Sequence, residues 1–220
     1  MLLRSPPQYS GISLRKMEGN TSPFKLILGS ASAPRRQVLA EMGYEFITMS
    51  ADIDEKAIRK EKPEDLVMAL AEAKAEAIIP RLNIDESMED AEPMLLITCD
   101  QVVVYEGMIR EKPENKEEAR EFIKDYSNGQ AATISSVLVR NLKTGKKRGE
   151  LDKVEIYFHE IPEDVMDKLI EEGTVLYVAG GLLIEHPLIQ PYIKRVVNYN
   201  NLTFLVAIAY IMTSLEIQNP

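Results

Sequence analysis

Residues 26–43 read LILGSASAPRRQVLAEMG. Lys25-Leu26-Ile27-Leu28 is a short apolar run, and the small residues Gly29-Ser30-Ala31-Ser32-Ala33 follow it. Pro34 can open a helix, because the first turn leaves its N–H groups unpaired and proline has none to lose. That helix runs through Met42 and stops at Gly43. Strand, small-residue loop and helix in that order open an α/β arrangement, and the pattern continues outward. Residues 45–50 can form a second strand. Pro63 to Arg81 is helical in pattern, with Leu66, Val67, Leu70, Ala77 and Ile78 on one face. Residues 95–105, LLITCDQVVVY, read as a buried strand, and Glu106-Gly107 as a turn. Beyond Lys112-Pro113 a helix presents Ala119, Phe122, Ile123 and Tyr126 and ends near Gly129. Strand-like runs at 133–140 and 154–158 flank the turn Lys143-Thr144-Gly145-Lys146, and Gly173 stops a helix over 163–172. The fold class predicted is α/β: a mixed sheet with flanking helices.

The chain has 220 residues, 45% of them apolar and 28% charged, which suits one generous domain or two small lobes sharing a cleft. Its formal charge of −9 argues against nucleic acid as a partner, since a phosphate backbone needs a basic surface. A small anion remains open, because a local basic pocket can sit in an acidic protein. The single cysteine, Cys99, excludes an internal disulfide and a multi-cysteine zinc site, and two histidines leave little for a histidine metal centre. A reduced, cytoplasmic setting is expected. Residues 1–23 lack the apolar core of a signal peptide and read as a disordered leader, with a weak organellar presequence as the alternative. Residues 202–215, LTFLVAIAYIMTSL, fall short of the ~18–20 apolar residues a spanning helix needs, so a buried terminal helix and no membrane partner are expected. The acid-rich stretch 85–92 reads as a solvated loop.

Three features are locally unfavourable unless something binds. Arg35 and Arg36 sit in the first turn of a helix, where each cation opposes the positive helix end at a cost of ~0.3–1 kcal/mol. Either they are a solvated pair, or an anion meets them together with free N–H groups and the Ser30 and Ser32 hydroxyls. Lys74 falls within an apolar stripe, so it either snorkels past its neighbours or points its ammonium into a cleft. Asp100 interrupts an apolar strand, where an unpaired carboxylate is costly; such a group is paired structurally or catalytic. Cys99 reads as a small buried hydrophobe. Glu111-Lys112-Pro113 supplies a charged pair that a short hairpin could bring back towards Asp100. A cationic cradle of Arg35, Arg36, Lys74 and Lys112 facing a carboxylate is what phosphoanhydride hydrolysis asks for.

The string at 26–43 resembles the opening motif of the Maf family of nucleoside triphosphate pyrophosphatases. The resemblance continues in order through Ile53-Asp54-Glu55, Lys74 in ALAEAKAEAI, Cys99-Asp100-Gln101, Glu111-Lys112-Pro113, Ser127-Asn128-Gly129 and Ala179-Gly180-Gly181. It implies an elongated Maf/ITPase-like α/β fold of two lobes around a central cleft. It also implies hydrolysis of a nucleoside triphosphate to monophosphate and pyrophosphate with a divalent metal, Mg²⁺ or Mn²⁺, and a homodimer. Asp100 matches the proton acceptor. Ser30, Arg35, Arg36, Lys74 and Lys112 match phosphate-binding positions, to which the reading of the loop adds the Ser32 hydroxyl; Glu55 matches a metal or water ligand and, with Asp100 and Glu111, is the metal set expected. On this reading residues 24–220 are one Maf-like domain. The segment after about 197 departs from the family's usual Val-x-Gly-Leu-Pro ending.

The resemblance also separates branches. Pro34 in an opening one residue longer than Ser-Pro-Arg-Arg, Gln101 after the acid, and Glu185 in the later glycine-led motif look like the branch preferring 7-methyl-GTP. A carboxylate accepts from the N–H donors of a purine, whereas a glutamine can also donate to a pyrimidine carbonyl. The rival readings are a UTP, dTTP or CTP pyrophosphatase of the same family, and a nucleotide-binding cell-division regulator with little catalysis.

Overall fold

The computed structural model describes residues 24–82 and 93–198. The leader, the acidic stretch 85–92 and the apolar segment 202–215 lie outside the described residues. In chain order the elements are β1 (Lys25–Gly29), α1 (Ala33–Glu41), β2 (Phe46–Thr48), α2 (Pro63–Ile78), β3 (Met94–Tyr105), β4 (Met108–Arg110), α3 (Lys116–Tyr126), β5 (Gln130–Asn141), β6 (Lys147–Phe158), α4 (Glu163–Glu172) and β7 (Ile193–Asn198). Among the described residues seven strands make one mixed sheet in the order β2-β1-β3-β5-β6-β7, with β4 beside β3. The pairs β1–β2 and β1–β3 are parallel and the rest antiparallel.

Side chains alternate across β3, and the two faces are covered differently. Leu96 and Val102 face α2, whose Leu66, Val67, Leu70, Ala71, Ala75 and Ile78 cover that side. On the other face Leu95, Ile97 and Cys99 pack with Leu39 of α1, while Val103 packs with α3 and α4 through Ala119, Ile123 and Leu169. Gln101 falls between these two cores and is the one exposed residue of β3. The two lobes are therefore two helix-covered ends of one sheet, and the cleft is the uncovered level at Gln101.

The helix over 163–172 and its Gly173 stop match the sequence reading, with Gly173 left-handed at φ +75°. Elsewhere the structure corrects it. Ala77 is half-buried, and the α2 stripe is completed by Ala71 and Ala75 instead. The strands expected at 133–140 and 154–158 extend to twelve residues each, because β5 and β6 pair along nearly their whole length. Charged residues fill the first half of β6, KRGELDK, so no apolar run marks it. Strand β4 is the return arm of the short hairpin expected after Glu106-Gly107, whereas no sequence signal marked β7.

At the end of β1 the chain passes close under its neighbours. A Cβ on Gly29 would lie 2.6 Å from the Thr98 methyl and 2.7 Å from Ile78 Cδ1. Gly29→Ala is expected to cost about 1–3 kcal/mol through overpacking, read as a lower urea midpoint with an unchanged m-value.

Candidate active site

Strand β3 changes partner along one edge. Lys25 to Gly29 pair with Met94 to Thr98, and β4 pairs with Val103 to Tyr105. Among the described residues no strand pairs with 99–102 on that side, although β5 pairs with them on the other. Open backbone beyond the ends of parallel strands is where α/β sheets offer ligands a crevice. Asp100 stands in this gap on the α2 face, and Gln101 on the cleft face.

Helix α2 carries the partner of Asp100. Val67, Ala71 and Lys74 lie along one side of the helix. The Ser136 hydroxyl donates to the Val67 carbonyl at 2.7 Å and the Thr98 hydroxyl to the Ala71 carbonyl at 2.8 Å, seating the helix on the sheet. The Lys74 ammonium then reaches Asp100 Oδ1 at 2.5 Å and Glu55 Oε1 at 2.9 Å. Lys74 and Asp100 side chains are 12% and 11% exposed, while Glu55 keeps 42% of its surface in water. Burial pushes the Asp100 carboxyl above its ordinary range; the Lys74 charge and hydrogen bond oppose that shift, as does Arg35. Glu55 opens a single 3-10 turn whose preceding residue, Asp54, accepts from the Lys56 N–H at 3.1 Å. That local cap aims Glu55 at Lys74.

Helix α1 presents its N-terminus to the same gap. Ser32 precedes it without a side-chain cap, and its first turn holds no acid. Arg35 Nη1 donates to the Cys99 carbonyl at 3.1 Å and to the Ser30 hydroxyl at 3.4 Å, binding the helix to the open edge of β3. The same Ser30 oxygen accepts from the Ser32 N–H at 3.2 Å. Arg36 turns back to the Ala31 carbonyl at 2.7 Å, and Pro34 occupies the first turn. Beside these groups Cys99 is buried and its thiol is pushed up to about 11 by desolvation, so it serves the core.

Ser30, Arg35, Lys74, Asp100 and Glu55 are thus joined around one gap. The other candidates stand around it. Glu111 does not share Lys74; its carboxylate meets Arg59 at 3.3 Å, and Arg59 also donates to the Glu55 carbonyl. Lys112 is exposed and makes no ion pair among the described residues. Gln101 accepts through Oε1 from the Ser135 hydroxyl at 3.0 Å, in the cleft. Glu185 is exposed on the loop after the glycine turn Ala179–Gly181. Ser127-Asn128-Gly129 is a turn, with Asn128 left-handed and the Ser127 hydroxyl accepting from the Ile161 N–H at 2.8 Å.

Arg59, Ser135 and Arg110 escaped the sequence reading. Arg59 lies in a run of charges that looks solvated. Ser135 becomes polar company for Gln101 only through β-sheet register. Arg110 did leave a signal of the kind that marked Asp100: an ion at the end of a short apolar strand.

For a divalent ion the fit is partial in protein atoms alone. Among the described residues no group of three His, Cys, Asp or Glu could hold one. Asp100 and Glu55 converge on one cation position, which the Lys74 ammonium fills. Two carboxylates completed by substrate phosphates suit Mg²⁺, which rarely takes an all-protein cage.

The uncapped N-terminus of α1 thus lies beside a buried, lysine-paired carboxylate on the edge of β3, within an α/β sheet. The chain belongs to the Maf family: residues 25–203 match the family described as Maf-like protein. It is 44% identical over 162 residues to the 7-methyl-GTP pyrophosphatase of Dictyostelium discoideum, covering 73% of this chain and 81% of that one. Over 163 residues it is 31% identical to the dTTP/UTP pyrophosphatase of Clostridium acetobutylicum, covering 74% and 82%. It is 29% identical over 162 residues to the 7-methyl-GTP pyrophosphatase of Vibrio vulnificus, covering 74% and 78%. No helix among the described residues is long and apolar enough to cross a membrane.

Lys74→Met leaves Asp100 without its counter-charge. Such losses cost about 3 kcal/mol when the abandoned charge is buried. Asp100 loses an influence that lowers its pKa, so the folded variant holds that proton more tightly than the unfolded chain does. The deficit against wild type is then largest at pH 8 and shrinks as pH falls and Asp100 protonates. Urea unfolding at pH 8 and pH 5 checks both the size and the sign.

Proposed function

We propose that this protein hydrolyses a nucleoside triphosphate to the monophosphate and pyrophosphate, preferring 7-methyl-GTP. The observation that carries the reading is Asp100: a nearly buried carboxylate in the unpaired stretch of β3, next to the carbonyl that anchors Arg35. These placements support the following order for the catalytic step. Phosphates enter at the N-terminus of α1, where free N–H groups, Ser30, Ser32, Arg35 and Arg36 offset their charge. Lys112 reaches them from the opposite rim, and Lys74 exchanges a carboxylate for a phosphate oxygen. Asp100, so released, orients a water and takes its proton as the oxygen attacks the α-phosphorus. The bond from that phosphorus to the bridging oxygen breaks, and pyrophosphate departs on the cationic rim. A divalent ion bound by Asp100, Glu55 and the phosphates would supply further charge neutralisation.

The base is read in the cleft. Gln101 and Ser135 form its floor, and Glu185 offers acceptors to the N–H donors of a purine. The name of the Dictyostelium relative favours 7-methyl-GTP, while the dTTP/UTP name at 31% identity favours a pyrimidine as the second reading. Action in the cytoplasm and a homodimer belong to the same proposal and enter no step of it.

The deciding experiment is pyrophosphate release from 7-methyl-GTP, GTP, UTP, dTTP and CTP with Mg²⁺ or Mn²⁺. Asp100→Asn is expected to lose about 10²–10⁴-fold in turnover while nucleotide still raises its melting temperature. Near wild-type turnover in that variant would remove Asp100 from the role. Preference for UTP or dTTP would keep the reaction and move the base assignment. Nucleotide binding without pyrophosphate release would favour the regulator.

A further inference from the structure

Arg110 is a buried cation that the proposed chemistry leaves unused. It ends β4, immediately before Glu111-Lys112-Pro113, and is 7% exposed. Its guanidinium carbon lies 4.3 Å from the Tyr105 ring centre and 4.4 Å from that of Phe122, and it pairs with Asp125. The third ring at this cation is Tyr126, at 5.2 Å and 1% exposed. Burial pushes the Tyr126 phenol up to about 12, so it keeps its proton and donates. Its hydroxyl gives a hydrogen bond of 2.9 Å to the Gly180 carbonyl. The Gly180 N–H in turn donates to the Glu111 carbonyl at 2.7 Å.

Gly180 is therefore gripped at both ends, by α3 through Tyr126 and by the residue next to Lys112. The grip leaves no space for a side chain: a Cβ would sit 2.5 Å from Val103 Cβ and 2.8 Å from the Tyr126 oxygen, at φ +59°. Gly181 follows against Pro113, and Glu185 hangs five residues beyond Gly180. Past it, His186 faces Glu172 of α4 at 2.9 Å. A nucleotide that meets Lys112 with its phosphates and Glu185 with its base spans the two segments that Gly180 joins. The Gly180 peptide is a direct tie between them, while Leu182, Leu183 and Ile184 pack the start of the loop against the core.

We propose that Tyr126, seated by Arg110, is a positioning residue for nucleotide selectivity, acting through Gly180 on the Glu185 loop. The inference rests on the reading of Glu185 as the group that meets the base. Tyr126→Phe keeps the ring and its packing and removes one hydroxyl, leaving the buried Gly180 carbonyl without that donor and loosening one end of the grip.

The test is a double-mutant cycle of Tyr126→Phe and Glu185→Gln, with kcat and KM for 7-methyl-GTP and for UTP. Tyr126→Phe is expected to lower the ratio of the two kcat/KM values about tenfold, through KM for 7-methyl-GTP, with kcat for UTP changed less than about twofold. In the Glu185→Gln background it should change that ratio no further. Arg110→Lys, which keeps the charge but not the planar stack, should follow Tyr126→Phe in direction. A purely structural role would lower the melting temperature and leave the ratio intact, and that result overturns the proposal. If Glu185→Gln shifts the ratio and Tyr126→Phe does not, this inference alone fails. If Glu185→Gln leaves the ratio unchanged, or the wild type shows no preference, the base assignment fails and this inference with it.

Discussion

The contact on which the site depends is the Lys74 ammonium between Asp100 and Glu55. An unpaired carboxylate at the Asp100 position would be costly to ionise, and an unpaired lysine on the stripe of α2 would be costly to bury. Each makes the other tolerable. The pairing also joins three parts of the chain that are distant in sequence: the 3-10 turn at Glu55, the C-terminal part of α2 and the open edge of β3. In the proposed reaction the same cation that stabilises the resting fold is the one a phosphate must draw away. A site of this kind is preorganised and reactive together, because its charges already face one another.

The interrupted edge of β3 explains why Asp100, Lys74 and Arg35 meet where they do. Parallel pairing with β1 ends at Thr98 because β1 leaves the sheet at Gly29 to enter α1. Antiparallel pairing with β4 begins at Val103 because β4, which follows the turn at Glu106-Gly107, is only the three residues Met108–Arg110. The four positions between keep backbone groups free on that side, and Arg35 takes one of them. Helix α1 is thereby tied to the gap that its own N-terminus overlooks. On the opposite end of the same face, the aromatic box around Arg110 fixes the second rim, so the two sides of the cleft are held by separate ion-and-hydrogen-bond systems.

Arg110 and Asp100 illustrate two uses of a buried ion. Asp100 is paired through one ammonium that can move, beside solvent. Arg110 is stacked between rings and paired with Asp125, an arrangement that suits a planar guanidinium and gives it no second position. The first can change partner during a reaction; the second can only hold its neighbours in place.

What the sequence by itself determined is what is written in local order. The strand–loop–helix opening, the helical stripe of α2, the apolar β3 with its misplaced acid and the stop at Gly173 follow from periodicity, proline and glycine, which act over a few residues. Asp100, Lys74 and the Arg35-Arg36 pair were legible because each violates the pattern around it, and the ordered motifs led to the family. The tertiary structure decided the partners. That Lys74 meets both Asp100 and Glu55, that Arg35 rather than Arg36 reaches β3, that Glu111 turns to Arg59, and that Gly180 is held between Tyr126 and Glu111 depends on sheet register and on how helices seat on the sheet. Those contacts join residues tens of positions apart, and no local periodicity encodes a distance of that kind.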